Sequence, residues 1–131
     1  MTQEEKQLLL KDLCGRLPYK PKCLVLRGQF DPDEATVRGY DGRVSVFLKG
    51  DFDEIEPEKV RLYLRPMSSM TEEEDKEWRY YKNKIAESCD ELLEERIADC
   101  HNFFNSHHFD YRGLIEKGLA IEVTEDNNPY K

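Results

Sequence analysis

The chain has 131 residues, of which 37% are charged, 38% apolar and 11% aromatic, and its formal net charge is −8. This length predicts one domain, residues 1–131, with a core large enough to fold without disulfides or a metal ion, and the aromatic content excludes a disordered chain. The acidic charge disfavours nonspecific nucleic-acid binding, although a local basic face stays possible.

Several missing features indicate where the protein works. The sequence has no apolar run of about 18 residues, so we expect no membrane span. The first ten residues, MTQEEKQLLL, carry acids where a signal peptide carries bases. We therefore expect a cytoplasmic protein whose four cysteines are free thiols. No Cys-x-x-Cys pair occurs, so the common zinc and redox motifs are absent.

The first predicted elements are a helix over residues 2–14 and a strand over residues 22–27. Thr2 and Glu5 have the spacing of a capping box, in which each side chain accepts a hydrogen bond from a backbone N–H group. Gly15 is expected to end the helix, because glycine is common at the C′ position. The strand is continuously apolar at its centre, which favours cover on both faces. We expect residues 28–33 to form a loop.

A β-hairpin is predicted over residues 34–49, because Asp41-Gly42 is a preferred pair for a two-residue type I′ turn. Counting outward from this turn pairs Tyr40 with Arg43, and the remaining pairs follow. The register sorts the side chains onto a core face (Ala35, Val37, Val44, Val46 and Leu48) and an outer face (Thr36, Arg38, Tyr40, Arg43, Ser45 and Phe47).

We expect residues 50–58 to form an acidic connection in which Phe52 and Ile55 are available to turn inward. Apolar and polar side chains alternate over residues 60–65, and this pattern predicts another strand, which Pro66 ends. Together these segments predict an antiparallel sheet of about four strands that curls or forms a small open barrel.

The second half of the chain predicts helices. Thr71 and Glu74 form another capping box, from which an amphipathic helix continues to Phe104. One helix of that length would span about 50 Å, which is long for a small domain, so we expect a break near residues 88–90.

The last segments are predicted to close the fold. Asp110 is the expected N-cap of a closing helix, with Phe109 and Leu114 spaced as a hydrophobic staple. Residues 119–123 predict a short strand that adds to the sheet edge, and residues 124–131 predict a frayed tail. The expected fold is therefore α+β: an N-terminal helix, a small antiparallel curled sheet or open barrel, a long amphipathic helix, a closing helix and a short strand.

Three segments together resemble a known family: LLLKDLCGRLPY (8–19), YLRPMSSMTEEE (63–74) and FNSHHFDYRGLIEKGLAIEV (104–123). The family comprises small uncharacterised proteins from the genomes, prophages and mobile elements of Bacteroides-type gut bacteria. The segments cover about a third of the chain. The resemblance implies a cytosolic bacterial or phage-derived protein and brings no catalytic residue or cofactor with it.

A cluster near the end of the predicted long helix contains all three histidines: Cys100, His101, His107, His108 and Asp110. Thiolate and imidazole are zinc ligands, so metal binding is one interpretation. The spacing matches no zinc signature, which favours a corner between helices where these side chains satisfy turn backbone. We predict neither a metal nor a cofactor.

Acid–base catalysis by His108, Asp110 and Tyr111 is a further possibility, since histidine titrates near neutral pH. No nucleophile elbow, phosphate loop or His-Glu-x-x-His motif accompanies them. Aspartate before a helix is also far more often a cap than a catalyst. Enzymatic activity is therefore left open but disfavoured.

Two binding functions remain. The leading hypothesis is a noncatalytic accessory protein that binds another protein through aromatic-rich segments at residues 78–81 and 103–111, with His107, His108 and Tyr111 as candidate binding residues. The acids of residues 72–95 could meet a basic partner, although a solvated helix face explains them more simply.

The alternative is a nucleic-acid-binding small β-barrel that uses a sheet face formed by Arg38, Tyr40, Arg61 and Tyr63, because aromatic rings can stack bases and arginines can hold phosphates. A competing interpretation is that the long helix covers this face, with its acids paired to the arginines.

Overall fold

The computed structural model describes residues 1–28 and 30–130. In chain order its helices and strands are α1 (Gln3–Arg16), β1 (Lys22–Arg27), β2 (Phe30–Tyr40), β3 (Val44–Leu48), β4 (Asp51–Ile55), β5 (Val60–Leu64), α2 (Glu72–Glu87), α3 (Asp90–Ser106) and β6 (Ala120–Glu122). The predicted α+β class is confirmed. Gln29 and Lys131, which belong to the predicted loop and the predicted tail, lie outside the described residues.

The strands form one sheet in the order β4-β3-β2-β1-β5-β6, antiparallel except for the parallel pair β5–β6. The prediction of about four antiparallel strands is therefore corrected to six described strands, in a mixed sheet that does not close. β2 starts within the predicted loop, and β4 lies within the predicted acidic connection. Phe52 of β4 is 70% exposed and does not turn inward, whereas Ile55 is buried in the main core as expected.

The register of the β2–β3 hairpin is correct at its centre and wrong at its turn. Val37 pairs with Val46 as predicted, but Tyr40 pairs with Val44 because a bulge at Arg38 shifts the pairing. The turn therefore has three residues, 41–43, and Gly42 takes a φ of +76° within it. The predicted core face is buried, but Tyr40 moves to that face and packs against the core.

The main core lies between α1 and one face of the sheet. It includes Leu13 of α1, Leu114, Leu119 and the inward side chains of the strands. The capping box of α1 is present, with the Glu5 N–H donating to Thr2 Oγ1 at 3.1 Å. The predicted end of this helix is wrong, because it continues through Gly15 and the left-handed backbone occurs later, at Lys20 (φ +50°).

A second, aromatic core lies against α2 and α3. It contains Cys100, Phe103, Phe104 and Phe109, and Trp78, Tyr81 and Ile85 of α2 pack against it. The expected break between the two helices is confirmed, since Ser88 and Cys89 have extended backbone. The prediction that residues 103–111 form an aromatic surface segment is wrong for most of its aromatic side chains. The buried members, at most 9% exposed, include Phe103, Phe104, Phe109 and Asp110.

The closing helix is not present, and turns occupy residues 114–118. The Asp110 carboxylate accepts hydrogen bonds from the N–H groups of Leu114 and Ile115, at 2.9 and 3.0 Å, as a cap would. Gly113, which lies between Asp110 and Leu114, has a φ of +75°. This backbone angle is incompatible with a helix and diverts the chain. The short strand is confirmed as β6, which adds to β5 at the sheet edge.

The contacts of Tyr130 differ from those expected of a frayed tail. Its hydroxyl accepts a hydrogen bond from the Lys22 N–H and donates one to the Tyr63 carbonyl, at 3.0 and 2.9 Å. Its ring stacks on His108 with centroids 3.6 Å apart. Within the described part of the chain, no helix combines the length and the apolar character needed to cross a membrane.

Candidate binding surfaces

The junction of the sheet with α2 is organised by Arg65, which follows β5. Its guanidinium donates to both carboxylate oxygens of Glu74 at 2.8 Å and lies 4.4 Å from the centre of the Phe109 ring. His107 Nδ1 is 3.0 Å from the same carboxylate. The hydrogen bonds from Arg65 are the main cause that holds the pKa of Glu74 down at about 2, against the opposing effect of burial. Glu74 therefore holds the sheet, α2 and the end of α3 together.

A buried ionic pair lies inside the first helix. Arg16 and Asp12 are both fully buried, and the Arg16 Nε donates to Asp12 at 2.7 Å. Arg16 also donates to the Phe109 carbonyl at 2.5 Å, and Arg112 Nε lies 3.3 Å from the Asp12 carboxylate. The sequence analysis missed this pair, although an acid and a base four residues apart in a helix are a usable signal. Removing one partner of a buried ion pair leaves an uncompensated charge in the interior. The role of the Arg16–Asp12 pair in this fold is therefore structural.

His108 faces the interior beside this pair. It takes a φ of +63° directly after α3, and its Nδ1 is buried with no hydrogen-bond partner among the described residues. Burial is the first cause that lowers the pKa of His108 to about 4, and the Arg16 charge is the second. Its imidazole is therefore neutral at pH 7, with one face covered by Tyr130.

The remaining members of the histidine cluster point to different neighbours. His101 stacks on Tyr111 with centroids 5.0 Å apart, while His107 contacts Glu74. Tyr111 also stacks on Phe104 at 5.1 Å. In residues 1–28 and 30–130, no three His, Cys, Asp or Glu side chains are placed to hold a metal ion. Of the three candidate catalytic groups, Asp110 binds turn backbone, and the other two take part in ring stacking.

The four residues of the predicted Arg/Tyr face are not brought together. Arg38 is exposed, with its guanidinium 5.8 Å from the Phe47 ring centre, whereas Tyr40 lies on the opposite, core face. Arg61 donates to the carbonyls of residues 58 and 60 at 2.8 and 3.0 Å. Tyr63 is 4% exposed, and its hydroxyl donates to Glu34. Burial first, and the Glu34 charge second, raise the pKa of Tyr63. A base could therefore stack on neither tyrosine without a rearrangement.

The helical hairpin formed by α2 and α3 presents a different surface. None of residues 72–99 is fully buried, although several of them have aromatic or aliphatic side chains. Tyr80 is 54% exposed, Leu92 42% and Ile97 36%. Leu93 and Ile97 have the spacing to extend the α3 stripe of Cys100 and Phe104, so the apolar seam of the hairpin continues away from the aromatic core, and Ile97 within it is exposed.

This surface is strongly acidic. Residues 72–99 contain eleven acidic and five basic residues, a net charge of −6 within a chain of −8. Some charges are paired locally, such as Arg79 with Asp75 at 3.0 Å. Lys82 lies over the Trp78 ring at 4.1 Å. The hairpin thus combines partly exposed apolar side chains with an acidic surround.

Comparison of the chain with protein-family models, with curated proteins and with solved structures found no match.

Proposed function

We propose that this protein is a noncatalytic accessory protein that binds another protein through the helical hairpin α2–α3. The observation that carries the proposal is that no residue of 72–99 is fully buried, while Tyr80, Leu92 and Ile97 are exposed. Helices in proteins gain most of their stability from packing an apolar face, so a hairpin with an uncovered seam gains stability when a partner covers it.

The charge of the hairpin restricts the chemistry of the partner. A net charge of −6 over residues 72–99 favours a surface with apolar side chains at its centre and Lys or Arg at its rim. Aromatic side chains such as Trp78 and Tyr80 are common at the centres of interfaces. A cytoplasmic location and an origin in a phage or mobile element belong to the same proposal.

The experiment is affinity capture with matched variants of α3. A Leu92→Gln/Ile97→Gln chain removes exposed apolar side chains, whereas a Glu91→Gln/Glu95→Gln chain changes two exposed acids of the same helix. Because the apolar seam supplies most of the binding energy, we expect the first variant to lose the captured protein, and the control to retain it with a weaker dependence on salt.

Circular dichroism of both variants checks that the helices still form. Capture of the same protein in equal amounts by wild type and by the Leu92/Ile97 variant would contradict the hairpin as the binding surface. Retention of no specific protein by the wild-type chain would contradict the proposed function as a whole.

A further inference from the structure

The free edge strand β4 carries a second kind of surface. β4 pairs with β3 on one side and ends the sheet on the other. The Glu54 N–H donates at 2.8 Å to the side chain of its neighbour Asp53, which marks this N–H as facing the open edge. The backbone groups of successive residues in an antiparallel strand point to alternate sides. The N–H and C=O of Phe52, two residues before Glu54, therefore face the open edge as well.

The side chains along this edge are an unusual combination. Asp51, Asp53 and Glu54 are exposed, and Phe52 between them is 70% exposed. The Phe52 ring packs edge-on against Phe47 at 5.2 Å, and this contact fixes its position on the sheet. The edge therefore offers outward backbone hydrogen-bonding groups, one held aromatic ring and three acids within five residues.

Protection of the edge explains only part of this pattern. Charged side chains on edge strands discourage pairing between copies, and two antiparallel β4 strands would place acids opposite acids. An exposed phenylalanine works against such protection, because it adds apolar area to the edge. The two features are compatible if the acids select a strand of opposite charge.

We propose that the β4 edge binds an extended basic segment of a partner protein, which adds to the sheet as an antiparallel strand. Main-chain hydrogen bonds to Phe52 and Glu54 supply the pairing, as in other strand-addition complexes, and the Glu54 N–H exchanges its bond to the Asp53 side chain for one to the added strand. Read from Ile55 back to Asp51, the added strand has an aliphatic residue, two basic residues, an aromatic residue that contacts Phe52, and another basic residue. This site lies on the sheet and is separate from the helical hairpin, so either proposal can fail without the other.

The test is a titration of the full chain with a fluorescein-labelled peptide whose central residues run aliphatic, lysine, lysine, phenylalanine, lysine. We expect saturable binding that weakens as salt rises from low to physiological concentration, because exposed charge pairs are screened. In heteronuclear NMR spectra, the amides of Phe52 and Glu54 should shift and become protected from exchange, whereas those of residues 72–99 should not.

Two controls separate strand addition from simple charge attraction. A peptide N-methylated at the two backbone nitrogens that face Phe52 and Glu54 should bind roughly thirtyfold more weakly, since each lost hydrogen bond costs roughly 1 kcal/mol. On the protein, Glu54→Pro removes an edge N–H together with a charge, whereas Glu54→Gln removes the charge alone, so the proline variant should bind the peptide more weakly than the glutamine variant.

Equal affinity for the methylated and unmethylated peptides would overturn the proposal, and this outcome does not depend on the folding of any variant. Amide shifts confined to the helical hairpin would overturn it as well. A dimer in sedimentation velocity that protects the Phe52 and Glu54 amides and excludes the peptide would replace the basic segment with a second copy of the chain.

Discussion

Glu74 is the residue on which the junction between sheet and helices depends most. Its carboxylate accepts from the Thr71 N–H at 2.9 Å, which caps α2, and from Arg65 at 2.8 Å. Its pKa of about 2 in the fold lies below the ordinary value of 4.5. The folded state therefore binds fewer protons than the unfolded state between these values. The stabilisation is complete above pH 4.5 and is lost as the pH falls toward 2.

We expect Glu74→Gln to lower the free energy of unfolding by about 1–3 kcal/mol at pH 7, because it breaks a charge-assisted pair that is mostly shielded from water. The difference from wild type should shrink as the pH falls below 4.5. Urea unfolding at neutral and acid pH measures both effects. Glu73→Gln, which changes an exposed acid one residue away, is the matched control and should differ little from wild type at either pH. An undiminished difference at low pH would show that the charge of Glu74 is not the stabilising feature.

The residues that sequence analysis identified correctly are those whose partners are close in the chain. Thr71 and Glu74 are three residues apart, so the capping box is visible as a local pattern. The partners of Tyr130 are Lys22 and Tyr63, which are 108 and 67 residues away. No local periodicity reports such contacts, and for this reason the stacking of Tyr130 on His108 was not predicted.

At the scale of elements, the errors lie where backbone geometry overrode a plausible local signal. The turn pair Asp41-Gly42 predicts a two-residue hairpin, but the bulge at Arg38 lengthens the turn by one residue and moves Tyr40 across the sheet. β4 was missed because an acidic edge strand lacks the alternating apolar pattern of a buried strand. Of the four residues of the candidate Arg/Tyr face, only Arg38 and Tyr40 depend on that register, and the bulge places Tyr40 on the core face.

Gly113 determines that the chain turns after Asp110 and does not continue as a helix. Its φ of +75° is costly for a residue with a Cβ, whereas the space around it is open. We therefore expect Gly113→Ala to destabilise the fold by about 1–2 kcal/mol through backbone strain alone. Thermal or urea unfolding measures the loss. Gly39→Ala is the matched control, since Gly39 also has open space but no positive φ, and its effect should be much smaller. Equal effects would mean that the left-handed backbone at Gly113 carries no special cost.

Over the whole molecule, burial and charge are separated. The sheet and α1 hold the main core, which includes fully buried side chains such as Leu13, Leu62 and Val46, whereas the hairpin holds most of the net negative charge. The α+β class was predictable because it depends on which segments are helical or extended. The sheet order and the uncovered hairpin were not, since both depend on contacts between distant segments.

This separation predicts that the hairpin opens independently of the sheet. No residue of 72–99 is fully buried, and Trp78, Tyr81 and Ile85 pack only partly buried against the aromatic core, so fewer apolar contacts oppose local unfolding here than in the sheet. We expect their amide hydrogens to exchange with an opening free energy about 2 kcal/mol or more below that of β1 and β5, which lie at the centre of the sheet. Hydrogen exchange followed by NMR measures each amide separately. Residues 100–105 serve as the internal control, because they belong to the same helix α3 but pack in the aromatic core, and they should exchange more slowly than residues 90–99. Uniform protection across the hairpin and the sheet would mean that the molecule unfolds as one unit and that the hairpin needs no partner to be stable. A gradient along α3 would instead locate the part of the protein that gains most from being covered, which is the part that Leu92 and Ile97 occupy.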